Sequence, residues 1–484
     1  MNRRFDIAVV GAGLGGVSAA LRAAEVGRST ILIEAGGRVG GTAAFSGGGV
    51  HIWGAHSWEE YRRLCPLADP ALARALFEGF QPYVAWLQST GAPGAFETTA
   101  LRGLSLEKYQ IGRSLAPRDR LAWFEYMHRR FENLGGVTLL NARATRLIVR
   151  DGGVGGVTID GVTGDIACGA VILAAGGFQG DAAMLSRHAG PAEYVQRAVA
   201  TNRGDGLRLA LAAGAAATPD MDTLYGHLMP AAPCRIGWAD HLDPLLLTAF
   251  YAQHGIIINA EGRRFVDEGD GELTGVTINA ACRQPPGGLW VVMDEAIRRA
   301  HAVYQIPFAL MRRGRMRDIG LLRYLGLRRG AAGLEATIDS LRLAADRGAV
   351  LIKAATLDGL TEKLRQQGVA AAALLETLAG FNPAARAGAA AAALGIPKTK
   401  SAFPIATPPY WAIKVGVGVS MTYGGVAIDT RARALNPEGR PVPGLYAVPG
   451  TAGGVHRLHY AGALAACGVY GMIAADSADA ALKA

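Results

Sequence analysis

Glycines 11, 13, 15 and 16 directly follow the β-rich run Phe5 to Val10, a setting in which the missing side chains have a chemical use. Gly11 permits a tight turn, Gly13 lets the backbone approach a pyrophosphate, and Gly16 lets the next helix pack on the strand. Leu14, Gly15 and Gly16 lead into that helix, whose unpaired N–H groups and dipole then face the phosphates. Glu34 stands eighteen residues beyond Gly16, with Ala35 beside it, where a carboxylate accepts hydrogen bonds from both ribose hydroxyls. At the other end of the chain His456, Arg457 and His459 form a basic cluster around Tyr460, suited to a carboxylate or phosphate.

These residues need elements to hold them. Phe5 to Val10 reads as a strand, Val17 to Val26 as a helix and Thr30 to Ile33 as a second strand, so the glycines sit in a βαβ unit. Arg38-Val-Gly40-Gly41-Thr42 then leads to Ser46-Gly47-Gly48-Gly49. That second glycine cluster is too distant to serve the same pyrophosphate. An extended cradle of this kind predicts FAD rather than NAD.

The 484 residues, half of them hydrophobic, exceed the ~250 to 300 at which single domains stop growing, which predicts two or more domains. The net charge is +9, but the basic residues are spread along the chain, so nucleic-acid binding is not expected. The charge suits an anionic cofactor and substrate instead. Cys65, Cys168, Cys234, Cys282 and Cys467 are odd in number, far apart and without a C-x-x-C pair. They predict a reducing, cytoplasmic setting with no disulfide framework or metal site. A signal-peptide reading of Met-Asn-Arg-Arg and the following apolar run fails, because cleavage would remove the glycine motif. The apolar stretch Ala461 to Ala475 is short of the ~20 residues needed to span a bilayer and reads as a buried helix.

Thr42-Ala-Ala-Phe-Ser46, Ala174-Ala175-Gly-Gly-Phe178, Gly204-Asp205-Gly206, Arg264-Phe265-Val-Asp267-Glu268, Tyr423-Gly-Gly-Val-Ala-Ile-Asp429 and Gly444-Leu-Tyr-Ala447 follow one another along the chain. In this order they resemble the flavoprotein family of fumarate reductases, 3-ketosteroid dehydrogenases and tricarballylate dehydrogenases. The resemblance implies an α/β fold: a discontinuous Rossmann-like FAD-binding domain (1–230 and 416–484) with an inserted α+β substrate-capping domain (231–415), and the active site between them. It implies a backbone contact to adenine at Ala144, an acid beside the flavin at Asp205, and cradle positions at Thr42, Ser46, Gly47, Gly48, Ala175 and Gly450. Gly462-Ala-Leu464 opens a helix whose N–H groups would face the flavin pyrimidine oxygen. Gly41 replaces the histidine that carries covalent flavin in succinate dehydrogenases, so the FAD is expected to be non-covalent. Pro449-Gly450 replaces the family's Gly-Glu, which leaves out a ribitol contact.

The catalytic positions depart further. A gapless count from Arg264-Phe265 places Glu272 where fumarate reductases have an arginine and ketosteroid dehydrogenases a tyrosine. Met421 stands for the fumarate reductase histidine, and Tyr460 for its carboxylate-binding arginine, a pattern that points away from fumarate reduction. Tyr460 matches a ketosteroid dehydrogenase tyrosine instead, and its phenol would donate to a substrate oxygen as an enolate forms. Glu272 is the expected base, with Arg457, His459, His227 and Tyr225 as further lining residues. The front run Ser46 to Trp53 resembles the steroid branch; Asp267-Glu268-Gly269 and Trp290 to Asp294 resemble the tricarballylate branch.

The expected activity is desaturation, or the reverse ene-reduction, next to a carbonyl or carboxylate of a small substrate. A flavin amine oxidase or hydroxylase and a non-catalytic electron-transfer subunit remain as alternatives. With no second dinucleotide motif and no haem or cluster spacing, electrons are expected to pass to oxygen, a quinone or a partner protein. Residues 370–394, rich in alanine, read as helices of the inserted domain.

Overall fold

Strand β1 (Arg4–Val10) buries Ile7, Ala8, Val9 and Val10 and carries the glycine turn at its end. Helix α1 (Leu14–Glu25) follows, beginning earlier than the apolar pattern suggests, and returns the chain to β2 (Thr30–Ile33), every residue of which is buried. Val137–Leu139 forms β3 and Ile166–Leu173 forms β4. The last two strands of this sheet, β5 (Arg433–Leu435) and β6 (Pro441–Ala447), come from the far end of the sequence. The order is β5-β6-β4-β1-β2-β3, parallel from β6 to β3, with β5 antiparallel at the edge. Strands buried on both faces explain the continuous Val and Ile runs of β1 and β2.

The structure is a computed structural model and describes residues 4–52, 57–101, 104–112, 117–161, 164–237, 243–270, 275–307, 325–330, 333–386 and 395–484. The chain divides into two units: Met1–Leu185, Ala198–Leu224 and Ser420–Ala484 form the first, Ser186–Arg197 and Tyr225–Val419 the second. The first unit is the Rossmann-like one. Its helix α2 (Asp205–Ala212) precedes the excursion into the second unit, and helix α3 (Ala463–Lys483) ends the chain.

Helix α3 lies on α1, and its small residues explain how closely. A Cβ on Gly471 would strike the Gly15 carbonyl oxygen, so the pair of glycines sets the helix separation. Two ion pairs fix the register, Arg22 to Asp476 and Arg28 to Asp479, both at 2.7 Å. The dinucleotide turn therefore rests on the last helix of the chain.

The second unit is built on the long strand Tyr410–Thr422, which pairs with Leu289–Asp294, Tyr194–Gln196, Leu224–Pro230 and Leu351–Ala354. Helices Leu357–Arg365 and Ala371–Arg386 belong to it, the latter in the alanine-rich stretch. No helix among the described residues is long and apolar enough to cross a membrane.

Candidate functional site: a dinucleotide cradle in the first unit

Gly11 adopts φ +102° at the end of β1, and a Cβ there would run into the Ala174 carbonyl at the end of β4. A Cβ on Gly16 would strike the Gly11 carbonyl oxygen. Gly13 differs: nothing lies within 4 Å of where its Cβ would be. It is the N-cap of α1, with no side-chain cap and no acid in the first turn. No side chain caps the first N–H groups of that helix, as an anion site requires.

Glu34, 8% exposed, is shaped by the same turn. Its Oε2 accepts a hydrogen bond from the Ala12 N–H and its Oε1 one from the Gly36 N–H, both at 2.7 Å. Each carboxylate oxygen keeps a further lone pair, so acceptance from ribose hydroxyls is preserved. The backbone N–H groups of Asn141 and Ala142 donate to the Gly36 and Glu34 carbonyls, both at 2.9 Å, bringing Ala144 close behind. Asp205, at the first turn of α2, pairs with the guanidinium groups of Arg143 and Arg208. Its carboxylate is thus engaged within the first unit, and Ala35 lies between the two residues that bond across to 141–142.

The second glycine cluster folds as a 3-10 turn, Gly41–Phe45, leading to the strand Gly49–His51. Gly41 approaches Gly13, its Cβ position 3.3 Å from the Gly13 Cα, so both glycine clusters border one space. The Thr42 hydroxyl accepts from the Val199 N–H at 3.2 Å and from the Asn202 amide at 3.1 Å. The Ser46 hydroxyl donates to the Ala43 carbonyl at 2.7 Å and accepts from the Gly48 N–H at 3.0 Å. Gln110 donates to the Gly47 carbonyl at 3.0 Å, and buried Arg120 donates to the Ala44 carbonyl at 3.0 Å. Burial pulls the Arg120 guanidinium down to about 10. Gly47 itself has nothing within 4 Å of its Cβ position.

Ala175, Gly176 and Gly177 follow β4, and the Thr451 hydroxyl donates to the Gly176 carbonyl at 3.0 Å. Gly450 has φ +99°, and a Cβ there would lie 3.4 Å from the Gly176 Cα. Among the described residues, Thr422 Oγ1 and Gln179 Oε1 are buried without a hydrogen-bond partner, and both border Gly177. Gly462, the N-cap of α3, also has no side-chain cap and no acid in the helix's first turn, which includes Leu464.

Immediately before α3 the chain brings rings together. His456 lies 5.7 Å from Tyr423 and 6.4 Å from Tyr460, and His51 meets Tyr460 edge-on at 6.2 Å. Burial holds both imidazoles neutral. His456 falls to about 4 despite help from the Gly462 backbone. His51 falls to about 4 too, with the Gly49 backbone opposing and Lys108 adding to the shift. Leu458, φ +61°, turns the loop between the rings, Arg457 is exposed, and His459 is partly exposed. Burial pushes the Asp220 carboxyl up; Thr218, its own backbone and then Arg457 hold it down, while Asp222 adds to the rise.

In the second unit, Tyr225 and His227 are neighbours on strand Leu224–Pro230, with Tyr225 Oη 3.3 Å from His227 Nε2. Glu272 lies outside the described residues. The Arg264-Phe265 run that precedes it is anchored by a buried network. Glu268 accepts from Arg264 at 2.9 and 2.6 Å and lies 3.5 Å from Lys398, whose ammonium also donates to the Gln253 and Gly255 carbonyls. Burial lowers the Lys398 ammonium, with Glu268 opposing.

The sequence assigned no role to Gln110, Arg120, Asn202, Thr422 or the rings of His51 and Tyr423. Gln110, Arg120 and Asn202 stand in no recognisable run, whereas Tyr423 opens the run to Asp429 and His51 lies in the front run Ser46 to Trp53; only the fold brings them all to the first unit's site. Gly49-Val-His51, next to the second glycine cluster, was the one local signal for His51.

The fold and cradle define a flavoprotein class with the dinucleotide turn in β1-α1. The profile described as FAD binding domain matches residues 6–465, and the chain belongs to that family. It is an FAD-dependent oxidoreductase. It is 26% identical over 498 residues to a probable fumarate reductase of Shewanella frigidimarina, covering 98% of this chain and 74% of that one. To a urocanate reductase of Eggerthella lenta it is 26% identical over 487 residues, covering 94% and 71%. The solved 3-ketosteroid delta1-dehydrogenase of Sterolibacterium denitrificans shares the fold with a TM-score of 0.72 at 20% identity, covering 99% of this chain and 100% of that one. The uncapped start of α1, the open space at Gly13 and Gly47, and the orphaned atoms of Thr422 and Gln179 fit such a cofactor.

Proposed function

We propose that this protein exchanges a hydride and a proton across a carbon–carbon bond next to a carbonyl or carboxylate, as a desaturase or the corresponding ene-reductase. The observation that carries this reading is Tyr460, a phenol two residues before the uncapped N-terminus of α3 and edge-on to His51. FAD, when bound, supplies the two-electron acceptor or donor. The turn at Gly11 to Gly16 would hold its pyrophosphate, Glu34 its ribose, and the start of α3 its pyrimidine edge. With Gly41 in place of a histidine, the attachment is non-covalent.

Tyr460 donates a hydrogen bond to the substrate oxygen and stabilises the charge that develops there, which acidifies the adjacent carbon. Glu272 takes the α-proton. While the flavin is oxidised, His51 and His456 are both neutral and place no charge beside Tyr460. Arg457 and His459, on the same unit as Tyr460, serve substrate orientation. The electron partner is a quinone, oxygen or a redox protein.

The test is anaerobic, single-turnover flavin reduction with a panel of cyclic ketones and saturated carboxylic acids. Tyr460→Phe should slow reduction by about 100-fold or more while retaining FAD, in the range of a lost oxyanion donor. Unchanged reduction kinetics would remove Tyr460 from the mechanism. A Glu272→Gln variant whose pH–rate profile overlays the parent's would do the same for the base.

A further inference from the structure

His456 is 1% exposed, and neither ring nitrogen meets a partner at full hydrogen-bond geometry among the described residues, the Gly462 backbone lying near enough only to favour the charged ring. Its ring lies between Tyr423 and Tyr460, beside the backbone of Gly462 at the uncapped start of α3. An interior imidazole with no well-formed hydrogen bond is a standing cost to the fold. It is explained if a change of charge at the site makes use of it.

We propose that His456 is a redox-linked proton acceptor, neutral while the bound flavin is oxidised and taking up a proton when two electrons reduce it. The inference rests on the reading that sets the flavin pyrimidine edge at the start of α3. Two electrons and one proton leave that edge with a negative charge; a second proton, from solvent, goes to a His456 ring nitrogen. In turnover the electrons arrive as the hydride from the substrate, and the α-proton goes separately to the base. An opposite charge within a few ångströms favours the protonated imidazole.

The other groups around His456 do not supply that charge. Tyr423 and Tyr460 face it with phenol rings, and His51, beyond Tyr460, is itself neutral. On its own segment, Arg457 is set against Asp220, and His459 is partly exposed. From the neighbouring helix Pro70–Ser89, the Asp69 backbone N–H bonds the Gly454 carbonyl and the Asp69 carboxylate caps Ala71 and Leu72. Helix α3 offers no acid in its first turn.

The burial-depressed pKa near 4 marks the lower end of the coupled range, and the value reached on reduction marks the upper end. Within it the flavin potential should fall by about 60 mV per pH unit, two protons for two electrons, and above it by about 30 mV. The experiment is a dye-equilibrated potentiometric titration of the holoenzyme across pH, which needs no substrate and so is independent of the catalytic reading. The parent should show the steep segment and a break, and His456→Asn and His456→Gln the shallow slope throughout. A shallow parent slope at every pH overturns the proposal. So does a break that persists unchanged in either variant, because the proton then belongs to the flavin itself.

Discussion

Glu34 and Ala12 are joined by a hydrogen bond of 2.7 Å, from the Ala12 N–H to Oε2, and the partner oxygen holds the Gly36 N–H. The acid therefore has two tasks, shaping the dinucleotide turn and presenting lone pairs to the ribose. Glu34→Ala removes both. Hydrogen bonds to charged groups are worth ~1.5 to 3 kcal/mol, so FAD affinity should fall roughly 10- to 100-fold. Equilibrium binding of FAD to the stripped protein measures it, and undiminished affinity would remove Glu34 from the site.

Gly13 and Gly16 should separate cofactor loss from fold loss. Gly13 has extended backbone, φ −71° and ψ −172°, and empty space at its Cβ, whereas a Cβ at Gly16 meets the Gly11 carbonyl. Gly13→Val should shift the stability of the flavin-free protein by no more than ~0.5 kcal/mol yet weaken FAD binding severely. Gly16→Val should lower both, by ~1 to 3 kcal/mol in stability. Thermal melts with and without FAD would show the contrast.

His51 and His456 make stability depend on pH. Both are held down to about 4 in the folded chain, below the ordinary 6.5. The unfolded chain therefore binds more protons between these values, and stability rises with pH across that window. Lowering pH from 6.5 towards 4 should cost roughly 3 kcal/mol for each buried imidazole. Denaturant titrations of the parent and His456→Gln should diverge there, the variant being the less sensitive.

Glu268 stands between Arg264 and Lys398 in the second unit, with no exposed side-chain surface. Glu268→Gln leaves two buried cations without their counter-charge, which should cost ~3 to 5 kcal/mol. Urea unfolding followed by far-UV circular dichroism measures the loss, and a loss below about 1 kcal/mol would contradict the role given to the network.

The first unit's βαβ turn was legible because its requirements are local: three glycine positions, a strand before, a helix after and an acid at fixed spacing. The partnership of α3 with α1 was not. It depends on Gly471 meeting Gly15 across the whole length of the chain, and no periodicity reports a contact of that kind. Likewise Arg120 and Gln110 brace the Gly47 loop from residues that read as ordinary helix and strand positions. The sequence did mark Tyr460 as chemical. That its neighbours His51 and His456 are neutral follows only from burial.

The central claim concerns hydride exchange at a carbon–carbon bond, and the most direct measurement is anaerobic re-oxidation of the chemically reduced enzyme by activated alkenes. Mixed without oxygen with α,β-unsaturated ketones and carboxylic acids, the reduced flavin should regain its visible absorbance with at least one of them, yielding the saturated product. No re-oxidation by any alkene, together with hydrogen peroxide formed from an amine or NADPH-dependent hydroxylation in air, would contradict it.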